Sequence, residues 1–324
     1  MNRSLITGTG SHVPSVILKN QDLEKIVDTN NEWIIARTGI KERRIVDGET
    51  TNDIAVKAAK NALKSAGTSP KDIDLIIAGT VTPDMLFPST ACFVQSHIGA
   101  NRGIAAFDVS AACSGFLYAL DVADKYIRAG ISKKALVIGV DVFSKIVDWK
   151  DRNTCVLFGD GAGAVLLSAE KGKRGILSTH IHADGHYGKM LYAPLSINSS
   201  PFHKKSPEHS YMKMQGNELF KIAVRTMGEA CQEALEYTGL KAEDISLLIP
   251  HQANMRIIKA TAERLGLPEE KVYINLDKYG NTSAGSIPLA LDEAVKKGTV
   301  KSGDIILFVA FGGGLTWASA LVRW

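Results

Sequence analysis

One α/β unit occurs twice in this chain, and the repetition limits the possible folds more than any other feature of the sequence. Residues 66–77 are echoed by residues 238–249, and every matched position lies 172 residues further along. Each copy has the pattern of an alanine-rich helix that ends at glycine, a short turn and a buried strand. Near-continuous apolar runs follow at 134–140 and 304–310, as expected of strands that helices cover on both faces. The sequence therefore predicts an α/β fold made of two equivalent halves.

The polar, glycine-containing segment 170–175 is the natural place to divide these halves. This gives an N-terminal half, 1–172, and a C-terminal half, 173–324. With 324 residues, of which 45% are apolar and 22% charged, the chain has the composition of a soluble globular protein that can accommodate two such units. Because both halves have the same design, we expect the functional site at the seam between them.

Charge and cysteine content exclude several classes of protein. The formal net charge of +4 is too small for a dedicated nucleic-acid binder. No apolar stretch approaches the length that a membrane span requires. The four cysteines are widely spaced and contain no C-x-x-C pair, so neither a disulfide framework nor a zinc site is indicated. We therefore expect a cytoplasmic protein with reduced thiols, without a metal and without a nucleic-acid or membrane partner.

The segment 104–130 indicates a strand, a tight turn of small residues and a buried helix that ends at Gly130. Cys113 lies where this helix begins. The free N–H groups and the positive end of the helix dipole favour a thiolate there, so we expect the pKa of Cys113 to be lowered. Small neighbours leave room for a substrate to approach the sulfur. A single cysteine could equally be a small buried hydrophobe, and the choice depends on the second half.

The second half places polar and glycine residues at the ends of its predicted strands. His251 follows the buried strand 245–249 directly, at the carboxyl end where α/β proteins bind ligands. Asn281 follows a strand predicted around 272–276, in a run of small residues that opens another helix; alone it could be a helix cap. The Gly312–Gly314 run ends the last of these strands and offers backbone N–H groups without side chains, as an oxyanion hole requires.

Two other patterns have structural interpretations that we favour. Residues 180–217 contain an H-x-H-x-D-x-H sequence that could bind a metal, but the surrounding glycines and prolines favour a surface loop over the site. The runs around Gly8–Gly10 and Gly159–Gly163 resemble phosphate-binding turns. Neither has the spacing of a dinucleotide-binding or P-loop motif, so tight turns between strands are the simpler interpretation.

Together these segments resemble β-ketoacyl-acyl carrier protein synthase III, the initiating condensing enzyme of bacterial fatty-acid synthesis. The resemblance extends from Ile6 to Trp324 and rests on Asp108-Val-Ser-Ala-Ala-Cys113-Ser-Gly-Phe, Pro250-His251-Gln-Ala-Asn254, Gly280-Asn281-Thr-Ser and Phe311-Gly-Gly-Gly314. It implies the thiolase-like five-layered α-β-α-β-α fold, which agrees with the duplicated unit, and it implies a homodimer.

The resemblance also implies a mechanism. Cys113 attacks a short acyl-CoA, such as acetyl-CoA, to form an acyl-cysteine, and the N–H groups of Cys113 and Gly313 form the oxyanion hole. His251 and Asn281 then stabilise the enolate that forms when malonyl-acyl carrier protein loses carbon dioxide. The carbanion attacks the acyl-cysteine to give 3-ketoacyl-acyl carrier protein. A histidine paired with an asparagine resembles the CoA-primed branch, whereas elongating synthases have two histidines. Acyl-CoA is a substrate, and no cofactor is expected.

Further residues are assigned to the substrates by the same resemblance. CoA is expected to contact Thr29, Trp33, Arg37, Arg152 and Asn254, with Trp33 and Arg152 on either side of the adenine. The acyl pocket is expected to include Phe143, Phe158 and, reaching across the dimer into the partner's site, Phe87. The acidic carrier protein is expected to dock on Lys221, Arg256, Lys259 and Arg264. The family usually has Lys-Lys where this chain has Glu263-Arg264. The alternative is ordinary packing of Trp33 and solvated charges elsewhere.

Three other functions stay open at this point. A cysteine hydrolase would use the same residue types, cysteine, histidine and asparagine. A secondary-metabolite relative that transfers the acyl group to another acceptor shares these three residues. A nucleotide or metal protein, resting on the glycine runs or on the 180–186 histidines, is the weakest alternative.

Overall fold

The structure, a computed structural model of the chain, describes residues 2–194 and 211–324. Its strands are β1 (Asn2–His12), β2 (Val16–Lys19), β3 (Glu42–Ile45), β4 (Leu75–Gly79), β5 (Ala105–Val109), β6 (Lys134–Val142), β7 (Asp160–Lys171), β8 (Gly175–Ala183), β9 (Leu191–Tyr192), β10 (Lys213–Met214), β11 (Leu247–Pro250), β12 (Ile305–Gly312) and β13 (Thr316–Arg323). Its helices are α1 (Asn20–Leu23), α2 (Asn31–Thr38), α3 (Thr51–Ser65), α4 (Thr90–Ile98), α5 (Gly115–Arg128), α6 (Arg152–Cys155), α7 (Gly216–Thr238), α8 (Met255–Arg264), α9 (Leu276–Tyr279) and α10 (Ser286–Lys296). None of the helices in these two ranges is long and apolar enough to cross a membrane.

Two main sheets repeat one topology. The first has the strand order β1-β7-β6-β4-β5, in which β4 is parallel to β5 and β6 while β7 is antiparallel to β6 and β1. The second has the order β11-β12-β13-β8, with β11 and β12 parallel and the other two pairs antiparallel. Strands β8, β13, β12 and β11 thus take the places of β1, β7, β6 and β4. The predicted duplication is confirmed.

Helices and sheets alternate in five layers. Helices α3 and α4 pack on the outer face of the first sheet, and α7 and α8 pack on the second. Helices α5 and α10 lie between the sheets and share one buried apolar cluster with strands of both. One apolar cluster lies on the outer face of each sheet and a third lies between the sheets. The layers therefore form an α-β-α-β-α sandwich, and the predicted fold class is confirmed.

Local chemistry explains why the two copies match. Helix α3 is capped by Thr50, whose hydroxyl accepts the N–H of Asp53 while the Asp53 carboxylate accepts the N–H of Thr50. The chain leaves α3 and α7 through Gly67 and Gly239, both in the left-handed region with φ of 60° and 70°. A one-turn 3₁₀ helix then leads to the buried strand in each half, at Pro70–Asp72 and Ala242–Asp244. These positions differ by the same 172 residues as the sequence echo.

The strand predicted at 272–276 is wrong. Its only ladder contact among the described residues is a single bridge between Leu248 and Val272, and the short helix α9 begins at Leu276. This bridge lies where the second sheet would have its counterpart of β5. The second sheet therefore has one strand fewer than the first.

The glycine runs do not form the expected tight turns. Gly10 lies within β1, where an added Cβ would be 2.1 Å from the backbone nitrogen of Ala62 in α3. Gly163 lies within β7, where a Cβ would be 2.5 Å from the nitrogen of Leu289 in α10. Glycine is required here because helices pack close against the strands.

The loop predicted at 180–217 is wrong at both ends, because residues 213–214 form β10 and α7 begins at Gly216. Residues 180–183 belong to β8, and His180 and His182 on this strand both contact Glu233 of α7, at 3.4 and 2.8 Å. In the parts of the chain that the structure describes, no group of three or more potential ligands could hold a metal ion. Residues 195–210 of the predicted loop lie outside the described residues. The boundary at residue 172 falls between β7 and β8, and the division into two domains stays a proposal.

Candidate active site

Cys113 lies at the seam, at the amino-terminal end of the central helix α5. The chain leaves β5 and passes through a one-turn 3₁₀ helix, Ala112–Ser114, in which Ala112 has a left-handed φ of 45°. The helix starts against β4 so closely that a Cβ on Gly79 would lie 2.3 Å from the Gly115 carbonyl carbon. Cys113 is only 6% exposed. The predicted position at a helix start is therefore correct.

The expected lowering of the Cys113 pKa is wrong for this structure. Burial raises the pKa to about 12; a hydrogen bond from Ser283 opposes this rise, and the negative charge of Asp141 adds to it. The sequence argument considered only the helix end, whereas removal from water penalises the thiolate more strongly. Cys113 is therefore a thiol before substrate binds, and its proton must leave during acylation.

His251 follows β11 and is fully buried. Its Nδ1 lies 2.7 Å from the Ser286 hydroxyl, which also accepts the N–H of Gln252 at 3.4 Å. Because Ser286 already accepts one hydrogen bond, we assign its own proton to His251 Nδ1, which leaves the Nε2 proton free to be donated. Burial lowers the pKa of His251 to about 3, so the ring is neutral.

The amide of Asn281 is held by the turn that follows it. Its Oδ1 accepts the N–H of Ser283 at 2.8 Å, and its backbone bridges to Phe158 of the first half. With Oδ1 occupied in this way, the Nδ2 group remains to donate hydrogen bonds. His251 and Asn281 can thus each supply one donor, which is what a developing enolate oxygen requires.

One cavity of about 620 Å³ contains all three predicted catalytic residues, Cys113, His251 and Asn281. These are buried, whereas the exposed residues Arg37 and Arg256 line the same cavity and mark its outer end. A second cavity of about 730 Å³ also reaches Cys113 and includes Gly313 in its lining. The glycine loop crosses Cys113 closely, since a Cβ on Gly312 would lie 2.7 Å from the Cys113 nitrogen. This arrangement brings the predicted oxyanion-hole residues together.

Four of the five predicted CoA residues are linked by contacts, Trp33, Arg37, Arg152 and Asn254, and the structure differs from expectation in two respects. Trp33 and Asn254 line the cavity, but the described lining does not include Thr29 or Arg152. Arg152 instead lies over the Trp33 ring, 5.2 Å from its centroid, and donates to the Asp28 carbonyl at 2.9 Å. An adenine can enter between the two side chains only if Arg152 moves away from the indole.

Asn254 also has a structural role. Its Oδ1 accepts the N–H of Arg256 at the start of α8, and its Nδ2 donates to the carbonyl of Arg37 at the end of α2. The guanidinium of Arg37 lies 5.8 Å from the Trp33 ring. Asn254 therefore caps helix α8 and links it to helix α2 across the cavity.

Two of the three predicted pocket aromatics meet. Phe143 and Phe158 stack with their ring centroids 4.6 Å apart and both line the larger cavity. Phe87 is 82% exposed and lies apart from them in this single chain. Its predicted place in a partner's site stays a prediction.

The four docking residues lie on the neighbouring helices α7 and α8 and differ in their contacts. Lys221 and Arg256 line the outer part of the smaller cavity, and Arg256 lies over the Phe220 ring at 4.8 Å. Lys259 is paired with Glu269 at 2.7 Å. Arg264 packs over Gly228 of α7, where a Cβ would be 2.7 Å from its Nε. All four side chains are nevertheless exposed, and docking of the carrier protein on them stays a prediction.

Three polar residues of the site were absent from the sequence prediction: Asp141, Ser283 and Ser286. A signal existed for Asp141, because a carboxylate in the apolar run of β6 is rare unless it is partnered. The two serines were visible only as small residues of the Asn281 turn. Ser283 contacts Cys113 across the seam, whereas Ser286 contacts His251 within the C-terminal half.

Comparisons with known proteins agree with this geometry. Residues 107–185 match the family model 3-oxoacyl-[acyl-carrier-protein (ACP)] synthase III, and residues 235–324 match the model of its C-terminal part. The beta-ketoacyl-[acyl-carrier-protein] synthase III of Aquifex aeolicus is 54% identical over 319 residues, covering 98% of this chain and 99% of that protein. A crystal structure of the Aquifex aeolicus enzyme matches with a TM-score of 0.93 at 54% identity, over 99% of this chain and 100% of that one.

The fold also occurs in a relative from another pathway. A priming β-ketosynthase from a polyketide biosynthetic pathway matches with a TM-score of 0.91 at 34% identity, over 99% of this chain and 96% of that one. The family models and the full-length relatives nevertheless agree on one assignment. This chain belongs to the 3-oxoacyl-[acyl-carrier-protein] synthase III family.

Proposed function

We propose that this chain catalyses the decarboxylative condensation of a short acyl-CoA with malonyl-acyl carrier protein, which initiates fatty-acid synthesis. The observation that carries the proposal is the single cavity that has Cys113, His251 and Asn281 at its buried end and basic side chains at its exposed end. A nucleophile that is sheltered from water but open to a long channel suits transfer from an extended thioester. Family membership supports the same reaction.

The residues divide the reaction into two halves. The Cys113 sulfur attacks the thioester carbonyl while the N–H groups of Cys113 and Gly313 hold the oxyanion. In the second half, the Nε2–H of His251 and the Nδ2–H of Asn281 stabilise the enolate left by decarboxylation. The neutral state of His251 suits this role, since the ring must donate a hydrogen bond without transferring its proton.

The primer is proposed to be small. The stacked Phe143 and Phe158 rings line the larger cavity beside Cys113, and we propose that they restrict the length of the acyl group. Acetyl-CoA is the primer we propose, although apolar pockets discriminate only about 10- to 200-fold per methylene. Similarity to a polyketide priming enzyme makes another acceptor the alternative function.

A homodimer is proposed from two surface features of the first half. Strand β5 is an edge strand with a partly exposed apolar sequence, which can pair with another edge. Met85, Leu86 and Phe87 form an exposed apolar loop beside the larger cavity. A second copy would cover both features. No cofactor is proposed, because acyl-CoA is itself a substrate, and a cytoplasmic location stays a prediction.

The proposed function is tested by a direct assay of product formation on purified protein. Incubation with acetyl-CoA and malonyl-acyl carrier protein should give acetoacetyl-acyl carrier protein, detected by mass spectrometry, with release of CoA and carbon dioxide. Omission of the carrier protein tests the hydrolase alternative, which predicts steady release of acetate and CoA. Product on malonyl-CoA but not on malonyl-acyl carrier protein would favour a different acceptor.

A further inference from the structure

The hydroxyl of Thr316 links the two segments that form the predicted oxyanion hole. Thr316 is the first residue of β13, and its Oγ1 lies 2.9 Å from the Ala111 carbonyl oxygen and 3.2 Å from that of Gly313. A hydroxyl has one proton, so the two carbonyls share it in a three-centre hydrogen bond. Ala111 belongs to the turn that carries the nucleophile and Gly313 belongs to the glycine loop. One side chain therefore joins these two segments.

Each accepting carbonyl lies one peptide group away from a predicted oxyanion donor. The Ala111 carbonyl belongs to the peptide group that precedes the one carrying the Cys113 N–H. The Gly313 carbonyl belongs to the peptide group that follows the one carrying the Gly313 N–H. Because peptide groups are planar, fixing the neighbouring group limits the direction of each N–H. The Thr316 hydroxyl is thus placed to set the direction and the separation of both donors.

The glycine loop needs such an anchor, because glycine has more conformational freedom than any other residue. Three glycines follow one another at 312–314, and Gly314 has a left-handed φ of 135°. The Thr316 side chain lies against this loop with its methyl group as well, since a Cβ on Gly314 would be 2.9 Å from Thr316 Cγ2. Both branches of the threonine side chain therefore restrict the loop.

Ser114 connects the nucleophile turn to Thr316 a second time. Its fully buried hydroxyl donates to the Thr316 carbonyl at 3.2 Å. The Ser114 N–H bonds at 3.1 Å to the Ala111 carbonyl, which is also the nearer acceptor of the Thr316 hydroxyl. Cys113 lies between Ala111 and Ser114 in the sequence, so its N–H is flanked by two residues that are both bonded to Thr316.

We propose that Thr316 is the positioning residue of the oxyanion hole, an inference that rests on the acyl transfer proposed above. Its hydroxyl keeps the Cys113 and Gly313 N–H groups directed at one point while the carbonyl carbon under attack becomes tetrahedral. The hydroxyl acts only through the two segments that it joins. Its loss should therefore slow reactions of Cys113 that pass through an oxyanion and spare reactions that do not.

The test compares two reactions of Cys113 in Thr316→Val, which keeps the shape of the side chain but has no hydroxyl. With p-nitrophenyl acetate the sulfur bonds to the ester carbon through an oxyanion, p-nitrophenolate leaves and the thiol proton is released to water. With iodoacetamide the sulfur displaces iodide at a saturated carbon, and no oxyanion forms. Both products are quantified on the Cys113 peptide by mass spectrometry. Acylation should be slower than in wild type by on the order of 10- to 100-fold, while alkylation should stay within about threefold.

Control variants separate positioning from a general structural effect. Thr316→Ser keeps the hydroxyl and should restore acylation to near the wild-type rate. Thr238→Val is the matched control, because the Thr238 hydroxyl is likewise shared by two carbonyls, those of Ala234 and Leu235 at 2.8 and 3.1 Å, but at the end of α7. It should change neither reaction. If Thr316→Val does not fold, Ser114→Ala, which loses the hydrogen bond to the Thr316 carbonyl, should show the same selective loss of acylation.

Acetyl-CoA gives a further readout that a merely structural role would not move. Thr316→Val should lower the maximal rate of Cys113 acetylation and leave the half-saturating concentration of acetyl-CoA unchanged, because the oxyanion exists only during reaction and not in the bound substrate.

Three results would overturn the assignment. Ester acylation of Thr316→Val within about threefold of wild type would show that the hydroxyl is not needed. Equal loss of acylation and alkylation would show that Thr316 supports the nucleophile turn as a whole. Failure of the ester to acylate Cys113 of wild type would show that no oxyanion hole operates there. The ester needs no CoA site, so wild type that is acetylated by the ester but not by acetyl-CoA would remove the proposed function alone.

Discussion

Replacement of Asn281 separates the two halves of the proposed reaction. Asn281 Oδ1 accepts the N–H of Ser283 at 2.8 Å, and only its Nδ2 group can donate to the enolate. Asn281→Asp keeps an oxygen for Ser283 but replaces the donor with a second acceptor. Asn281→Ala removes both interactions. The pair of variants thus distinguishes the lost donor from a loosened turn.

The expected loss can be estimated from the number of donors. Removal of one donor from an oxyanion site costs about 2.7–4 kcal/mol, or 10²- to 10³-fold in rate. We expect at least this loss in condensation for Asn281→Asp, because its charge also repels the enolate. Acylation of Cys113 in the same variant should stay near the wild-type rate. Asn281→Ala should lose condensation similarly and slow acylation as well, since Ser283 is no longer held.

Single-turnover experiments measure the two steps independently. Rapid quenching with acetyl-CoA, read by intact mass, gives the acylation rate. Mixing the acylated enzyme with malonyl-acyl carrier protein, and following carbon dioxide and the 3-ketoacyl product, gives the condensation rate. A condensation rate within about threefold of wild type in Asn281→Asp would remove the Nδ2 group from the mechanism, because a lost donor should cost far more.

Three further predictions test the surroundings of the site. Arg256→Glu should raise the KM for malonyl-acyl carrier protein in a salt-dependent manner and leave acylation by acetyl-CoA nearly unchanged. The control Lys60→Glu, on the remote helix α3, should change neither. Equal loss of both steps in Arg256→Glu would refute docking at Arg256. Gly312→Ala, whose Cβ would lie 2.7 Å from the Cys113 nitrogen, should slow acylation by on the order of 100-fold. The control Gly185→Ala, whose Cβ would have no atom within 4 Å, should not slow it. Unimpaired acylation in Gly312→Ala would contradict the close contact. Burial lowers the pKa of His251 from 6.5 to about 3, so the unfolded state binds an extra proton as pH falls below 6.5, and this group's contribution to stability should decline from pH 6.5 towards 3. In urea unfolding, His251→Asn should therefore lose less free energy of unfolding between pH 7 and 5 than wild type. An equal loss would argue against a neutral buried ring.

The sequence was sufficient for features that depend on local pattern. The 172-residue echo predicted the duplicated unit because glycines such as Gly67 and Gly239 mark the same left-handed helix exit in both halves. The equivalence of the halves predicted a site at the seam, where Cys113 after β5 and His251 after β11 line one cavity. The prediction of a strand near Val272 was wrong because this segment makes a single bridge, to Leu248, instead of a ladder.

Features that depend on contacts between residues distant in the sequence were not predictable. A helix start suggested a lowered pKa for Cys113, but its burial, which decides the sign, arises from packing of the opposite half. The resemblance placed Arg264 among the docking residues, but the sequence does not show that this side chain also packs on Gly228 of α7. The resemblance identified the site residues, but their hydrogen-bond partners, such as Ser286 for His251, are visible only in the structure.

Acylation of Cys113 is the most direct test of the central claim. The protein is incubated with acetyl-CoA, digested, and its cysteine peptides are compared by mass spectrometry with those of Cys113→Ala. We predict one acetyl group on the Cys113 peptide, none in the variant, and transfer of that group to acetoacetyl-acyl carrier protein when malonyl-acyl carrier protein is added. Labelling of Cys92, Cys155 or Cys231 instead, or an acetyl group on Cys113 that malonyl-acyl carrier protein cannot remove, would contradict the account.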